Sequence, residues 1–196
     1  MAEEEARVAR AYRPPVEDDD DLRPANDAFY VVSPRKLAIL FISTFGVYSA
    51  YWFYRQWDYQ KRAFGLDVWP IPRAIFAIFF THSLFRIIDQ AARGAGYSHA
   101  WNPSSQATLY VALVLGARVL GRLQTVSGEA ELMSMISIAI TMTCLMPLMA
   151  AQKVINLALR DAEGSRNAAI TTANAVFIGL GVLLWGLVVV GLVGVE

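Results

Sequence analysis

The chain has few residues from which to build chemistry. Its single cysteine, Cys144, rules out an intramolecular disulfide and supplies no thiolate pair for a metal. Only two histidines are present, His82 and His99, and no HExxH, Gly-rich phosphate loop or GxSxG occurs anywhere. No catalysis, metal or cofactor is therefore expected. Charge of one sign is also missing, because Lys plus Arg and Asp plus Glu both number 17, so the chain has no basic excess to draw in nucleic acid. No apolar stretch precedes Leu37, so a cleavable leader is not expected and the first apolar segment would itself direct insertion.

What is abundant is hydrophobicity: 56% of the residues are apolar, only 17% are charged, and the mean hydropathy is +0.39. That balance is too apolar for an ordinary soluble domain of this length. The neutral total also hides an asymmetry, with nine acids and four bases in residues 1–33 against eight acids and thirteen bases in 34–196. An acidic tail thus precedes a basic, apolar body of the kind an anionic leaflet attracts. Residues 1–28 hold EEE, the Glu17–Asp21 run and prolines at 14, 15 and 24, with almost no apolar periodicity. They are expected to form a disordered, solvated acidic tail. The acid run lacks the alternating ligands and turn glycine of a calcium loop.

Residues 29–196 predict an all-α fold, a multi-pass transmembrane bundle of four to five hydrophobic helices at about 34–54, 74–90, 103–122, 131–158 and 169–195. Ser33-Pro34 reads as an N-cap followed by proline at the first helical position, and the uncharged run that follows spans roughly 31 Å at 1.5 Å per residue. Arg35 and Lys36 at one end, and Tyr51, Trp52, Tyr54 and Arg55 at the other, are its expected membrane-interface anchors. The segment 74–88 is short for a crossing and is open between crossing, re-entering and lying flat. Asn102-Pro103 is a second cap-plus-proline start, leading to a helix that ends in Arg118 and Arg122. The next helix follows a loop at Ser127-Gly128 and should kink at Pro147. The last is uncharged before Glu196, and Ala175, Gly179 and Gly186 give it a small-residue surface suited to close helix packing, as does Gly46 in the first helix. Five crossings put the N-terminus inside and four put it outside.

The stretch Thr44-Phe-Gly-Val-Tyr-Ser-Ala-Tyr-Trp-Phe-Tyr54 resembles the TxGxYxxYWFY signature of an uncharacterised bacterial family of small multi-pass membrane proteins, a domain of unknown function. PRAIFAIFFTHSLF and the series Asn156, Asn167, Thr172 and Asn174 are similar to features of longer relatives in that group, which extends the resemblance over most of 29–195. It implies residence in the bacterial inner (cytoplasmic) membrane and supplies no activity, cofactor or catalytic residue.

His82, Arg86 and Asp89 fall on one face of the second segment and combine an imidazole, a cation and a carboxylate. In a spanning helix such a set marks a polar pathway, and in a flat helix it is the wet face. Met142, Met146 and Met149 also share a face, where methionine is an ordinary packing residue. Asn156, Asn167 and Asn174 are expected to cap helices or bond between them. The function expected from all this is that of a non-enzymatic membrane-embedded accessory or self-associating protein. Its partners would be the lipid bilayer and either a homo-oligomer or another membrane protein. The alternative is a small transporter or channel subunit using the His82, Arg86 and Asp89 pathway.

Overall fold

A computed structural model describes residues 28–97, 100–123 and 130–193. Among these residues the only regular structure is helical: α1 Pro34–Ser43, α2 Tyr48–Phe64, α3 Pro70–Ile75, α4 Ala77–Gly94, α5 Pro103–Leu123, α6 Ala130–Thr143, α7 Leu145–Ala158, a 3-10 turn Ser165–Asn167, and α8 Thr172–Val193. Of the expected acidic tail 1–28, residues 1–27 lie outside the described residues, as does the Ser127-Gly128 loop, while Ala28 is buried and held by Gln60 instead of belonging to a solvated tail.

The starts of the helices follow local chemistry. Ser33 Oγ accepts from Lys36 N at 3.3 Å with Pro34 at the first position, and Asn102 Oδ1 accepts from Ser105 N at 3.0 Å. At the last helix Asn174 Oδ1 accepts from Thr171 N at 3.1 Å while Asn174 N donates to Thr171 Oγ1 at 3.3 Å, a reciprocal cap.

The first helix does not run from 34 to 54. Phe45 and Gly46 take positive φ angles of 50° and 79°, which ends α1 after ten residues and starts α2 in a new direction. Thr44 secures the turn, donating from Oγ1 to Leu40 O at 2.7 Å and accepting from Tyr48 N at 3.0 Å. The result is a hairpin. Gln60 Nε2 donates to Ala28 O at 2.6 Å, so residues on either side of the expected crossing touch, whereas a bilayer core would hold them roughly 30 Å apart. The second segment is also divided, at Phe76, into α3 and α4.

Among the described residues three helices are long and apolar enough to cross a membrane: Pro103–Leu123, Glu131–Ala158 and Thr172–Val190. The four to five hydrophobic helices of the sequence therefore resolve into three that are long and apolar enough to span and two interrupted elements that are too short or too charged for it. The middle span breaks at Cys144, the residue after Thr143, whose carbonyl would have bonded an N–H that Pro147 lacks. The helical pattern is thus interrupted one turn before Pro147, where the kink is expected.

Packing is uneven along the molecule. Ala28 to Val32, Trp52, Phe53 and Trp57 of α2, Leu84, Phe85 and Ile88 of α4, and Leu148, Ala151 and Ile155 of α7 form a closed core. Each large side chain there contributes about 1.5–3 kcal/mol through burial. Burial within the three spanning windows is only 11%, 17% and 6%. The molecule is thus a tightly packed head joined to three apolar helices whose outer surfaces have no protein cover, an arrangement that fits an integral membrane protein.

Candidate functional site

The most organised polar feature of the head is a seat for the extended segment 28–33. This segment makes no helical bonds of its own, so its buried carbonyls need partners from elsewhere. Amide side chains provide them. Gln60 Nε2 reaches Ala28 O at 2.6 Å, and Gln56 brackets Tyr30 by accepting from its N at 3.1 Å and donating to its O at 3.0 Å. Asn167 Nδ2 donates to Val31 O at 2.9 Å and Asn156 Nδ2 to Val32 O at 3.1 Å. Gln152 links the two sides of the seat: its Oε1 accepts from Trp52 Nε1 at 2.6 Å, and its Nε2 donates to Asn156 Oδ1 at 2.7 Å and to Tyr30 O at 3.3 Å. Gln56, Gln60, Gln152 and Asn156 are fully buried.

The loop after α7 closes over the end of this segment. Asp161 organises it, accepting from Ser165 N at 2.8 Å, Ser165 Oγ at 2.7 Å and Arg166 N at 3.0 Å. Burial alone would raise the Asp161 carboxyl, but these donors and the Arg166 guanidinium outweigh it and hold the group at about 2. Gly164 has a φ of 65°, and a Cβ there would stand 2.6 Å from the Val32 carbonyl carbon, so only glycine permits the approach. The seat holds backbone by hydrogen bonds from amide side chains.

The expected interface anchors divide. Arg35 and Tyr51 are exposed, and Tyr54 and Arg55 are half-buried. Lys36 does not reach outward: it is buried and donates from Nζ to Asn167 Oδ1 and Ala169 O, both at 2.7 Å, fastening α1 to the loop before α8. Trp52 is a core residue rather than part of a belt, since its ring is buried and its N–H is spent on Gln152. Arg55 lies over Tyr30 at 4.9 Å, Tyr59 at 5.2 Å and Tyr51 at 5.8 Å from the ring centroids.

His82 and Arg86 are exposed on α4, whose other face is buried, and His82 Nε2 lies 3.1 Å from Thr108 Oγ1. Asp89 pairs with Arg93 at 2.9 Å, one turn further along. His82 and Arg86 therefore lie on the exposed side of α4, while the Asp89 side chain is only 13% exposed. Met142 and Met149 pack against the core while Met146 is exposed.

Among the packing residues, Gly46 fits closely. A Cβ there would stand 3.1 Å from Phe41 Cζ and 3.3 Å from Thr141 Cγ2. In α8 the close approach falls at Gly181, where a Cβ would collide with the Ser43 carbonyl. Trp185 completes that contact by donating to Ile42 O at 3.0 Å and stacking on Phe45 at 4.0 Å. Ala175, Gly179 and Gly186 remain exposed.

Gln56, Gln60 and Gln152 were not singled out by sequence reasoning. A signal was present: Gln56 with Gln60, and Gln152 with Asn156, are amide pairs one turn apart, the second within a strongly apolar helix. Such pairs need polar partners when buried. Comparison of the chain with protein-family models, with curated proteins and with solved structures finds no match.

Proposed function

We propose that the protein is a multi-pass, non-enzymatic component of a bacterial inner membrane, the location implied by the family that its Thr44–Tyr54 stretch resembles, and that it acts by associating through the free face of α8. One observation carries this reading. The described part of α8 is held through Gly181 and Trp185 against α1, while only 6% of its spanning window is buried and Ala175, Gly179 and Gly186 face outward. In lipid, a surface of small residues lets a second backbone approach, which gains dispersion contacts that lipid tails supply less well. The occupant is a second copy of the chain or another membrane component. The polar-pathway alternative has less support, because His82 and Arg86 lie on the outside of α4.

Mild-detergent purification of the tagged protein, with mass determination and identification of co-purifying chains, tests the proposal. A dimer or a reproducible complex is expected, and the double variant Gly179→Leu, Gly186→Leu should release a monomer that keeps its helix content. A wild-type protein that runs as a lone monomer in several mild detergents would overturn it.

A further inference from the structure

The helices are interrupted at three places, and residues of all three interruptions line one cavity of about 830 Å³: Gly46 between α1 and α2, Phe76 between α3 and α4, and Cys144 between α6 and α7. Two of the helices of spanning length supply part of its wall, Arg118 from one and Thr141 and Cys144 from the other, which on the proposed membrane reading sets the cavity within the bilayer. Irregular backbone is tolerated at that depth where protein covers it or where it lines a cavity, and discontinuous helices are where membrane proteins build ligand sites. The volume is that of a small-molecule site.

The chemistry of the wall narrows the ligand. Phe41, Phe45, Phe53 and Phe79 give it an aromatic, apolar surface. Its hydroxyls are turned onto protein: Ser49 Oγ donates to Gly46 O at 2.6 Å, Ser137 Oγ to Ala117 O at 3.1 Å and Thr141 Oγ1 to Ser137 O at 2.8 Å. No carboxylate lines the space, and the only charged group that does is Arg118, exposed at one end and without an ion pair among the described residues. Along α5 the eight steps from Tyr110 to Arg118 rise about 12 Å. A guest that suits this wall has an elongated apolar body and one anionic end.

We propose that the cavity is a binding site for a single-chain anionic lipid, with its head group paired to Arg118 and its acyl chain laid against the phenylalanines toward Tyr110 and Cys144. The guanidinium fork accepts a carboxylate or a phosphate equally well in geometric terms. The site is independent of the face of α8 proposed for association.

Photo-crosslinking of the full chain in phosphatidylcholine nanodiscs tests this, with diazirine-bearing palmitic acid as the probe and peptide mass mapping as the readout. Saturable adducts are expected within 41–53, 74–79 or 110–118. Unlabelled palmitate or lysophosphatidic acid should compete, and the better competitor assigns the head group as carboxylate or phosphate. Hexadecanol, which has the same chain without the charge, should compete about tenfold less well, and Arg118→Gln should lower labelling by about the same factor. Ala117→Trp should block the cavity and abolish the adducts. If that variant fails to fold, judged by helix content and elution volume, the competition series on the wild-type chain decides alone. Labelling that does not saturate, that spreads equally over α8, that hexadecanol suppresses as well as palmitate, or that Arg118→Gln leaves unchanged would overturn the proposal.

Discussion

Gln152 makes three of the hydrogen bonds that hold the seat together. One buried amide serves the Trp52 indole, the Asn156 side chain and the Tyr30 carbonyl. Replacement by leucine of similar size would keep the packing but leave several buried groups without partners, at a cost of about 3 kcal/mol. Thermal unfolding in detergent should therefore show a larger loss for Gln152→Leu than for Gln60→Leu, which removes a single bond to Ala28. A different dependence is expected at Asp161. Its carboxyl falls from an ordinary 3.8 to about 2 in the folded loop, so the stabilisation it gives is full above the ordinary value and disappears as pH falls through the folded one. Amide exchange of residues 161–167 should accelerate between about pH 4 and pH 2 in the wild-type chain. In Asp161→Asn the loop should be looser at neutral pH and show no such acid step.

The α1–α2 hairpin sets which surfaces share a side of the membrane. With Cys144 replaced by serine, single cysteines at the exposed positions Arg35 and Lys61 should label from the same face, and one at Arg122, across the first full span, from the opposite face. Labelling of positions 35 and 61 from opposite faces would mean that the hairpin is instead a crossing. At the other end of α1, Gly181→Leu would drive a side chain into the Ser43 carbonyl and should detach α8. Loss of disulfide formation between cysteines placed at Ile42 and Trp185 would report this. The ends of these elements were legible in the sequence, because Ser33-Pro34, Asn102-Pro103 and Pro147 act through bonds within one turn. The break at Thr44–Val47 was not. A lone glycine in an apolar run reads as a packing point, and hydropathy records how apolar a stretch is without recording where the chain changes direction. The same limit explains why Gly181 and not Gly179 is the contact: along a helix that is apolar on every side, composition does not say which face meets a neighbour.

Viewed whole, the molecule has a head closed by long-range hydrogen bonds and a set of spanning helices that make few such contacts. Removal of residues 172–196 should leave the head intact, since α8 joins it through α1 and the Lys36 bonds end at Ala169. Amide protection of residues 148–159 in the truncated chain, matched to that of the full chain, is the expected result, and general loss of protection would show that α8 holds the head together. The all-helical, membrane-type character of the chain was legible from composition alone. The seat was not, because the amide pairs one turn apart mark buried polar groups without saying what they bind, and the backbone partners of the seat's amides lie 26 to 136 residues away. That separation has a consequence for biogenesis. Segment 28–33 leaves the ribosome early, yet Gln152, Asn156 and Asn167 follow 122 to 136 residues later. At about 5–20 residues per second, it waits roughly 6 to 27 seconds for them. During that interval Gln56 and Gln60 can already reach Tyr30 and Ala28, but the Val31 and Val32 carbonyls still lack their partners. The head is therefore completed by its first segment last, only after the second spanning helix has been threaded.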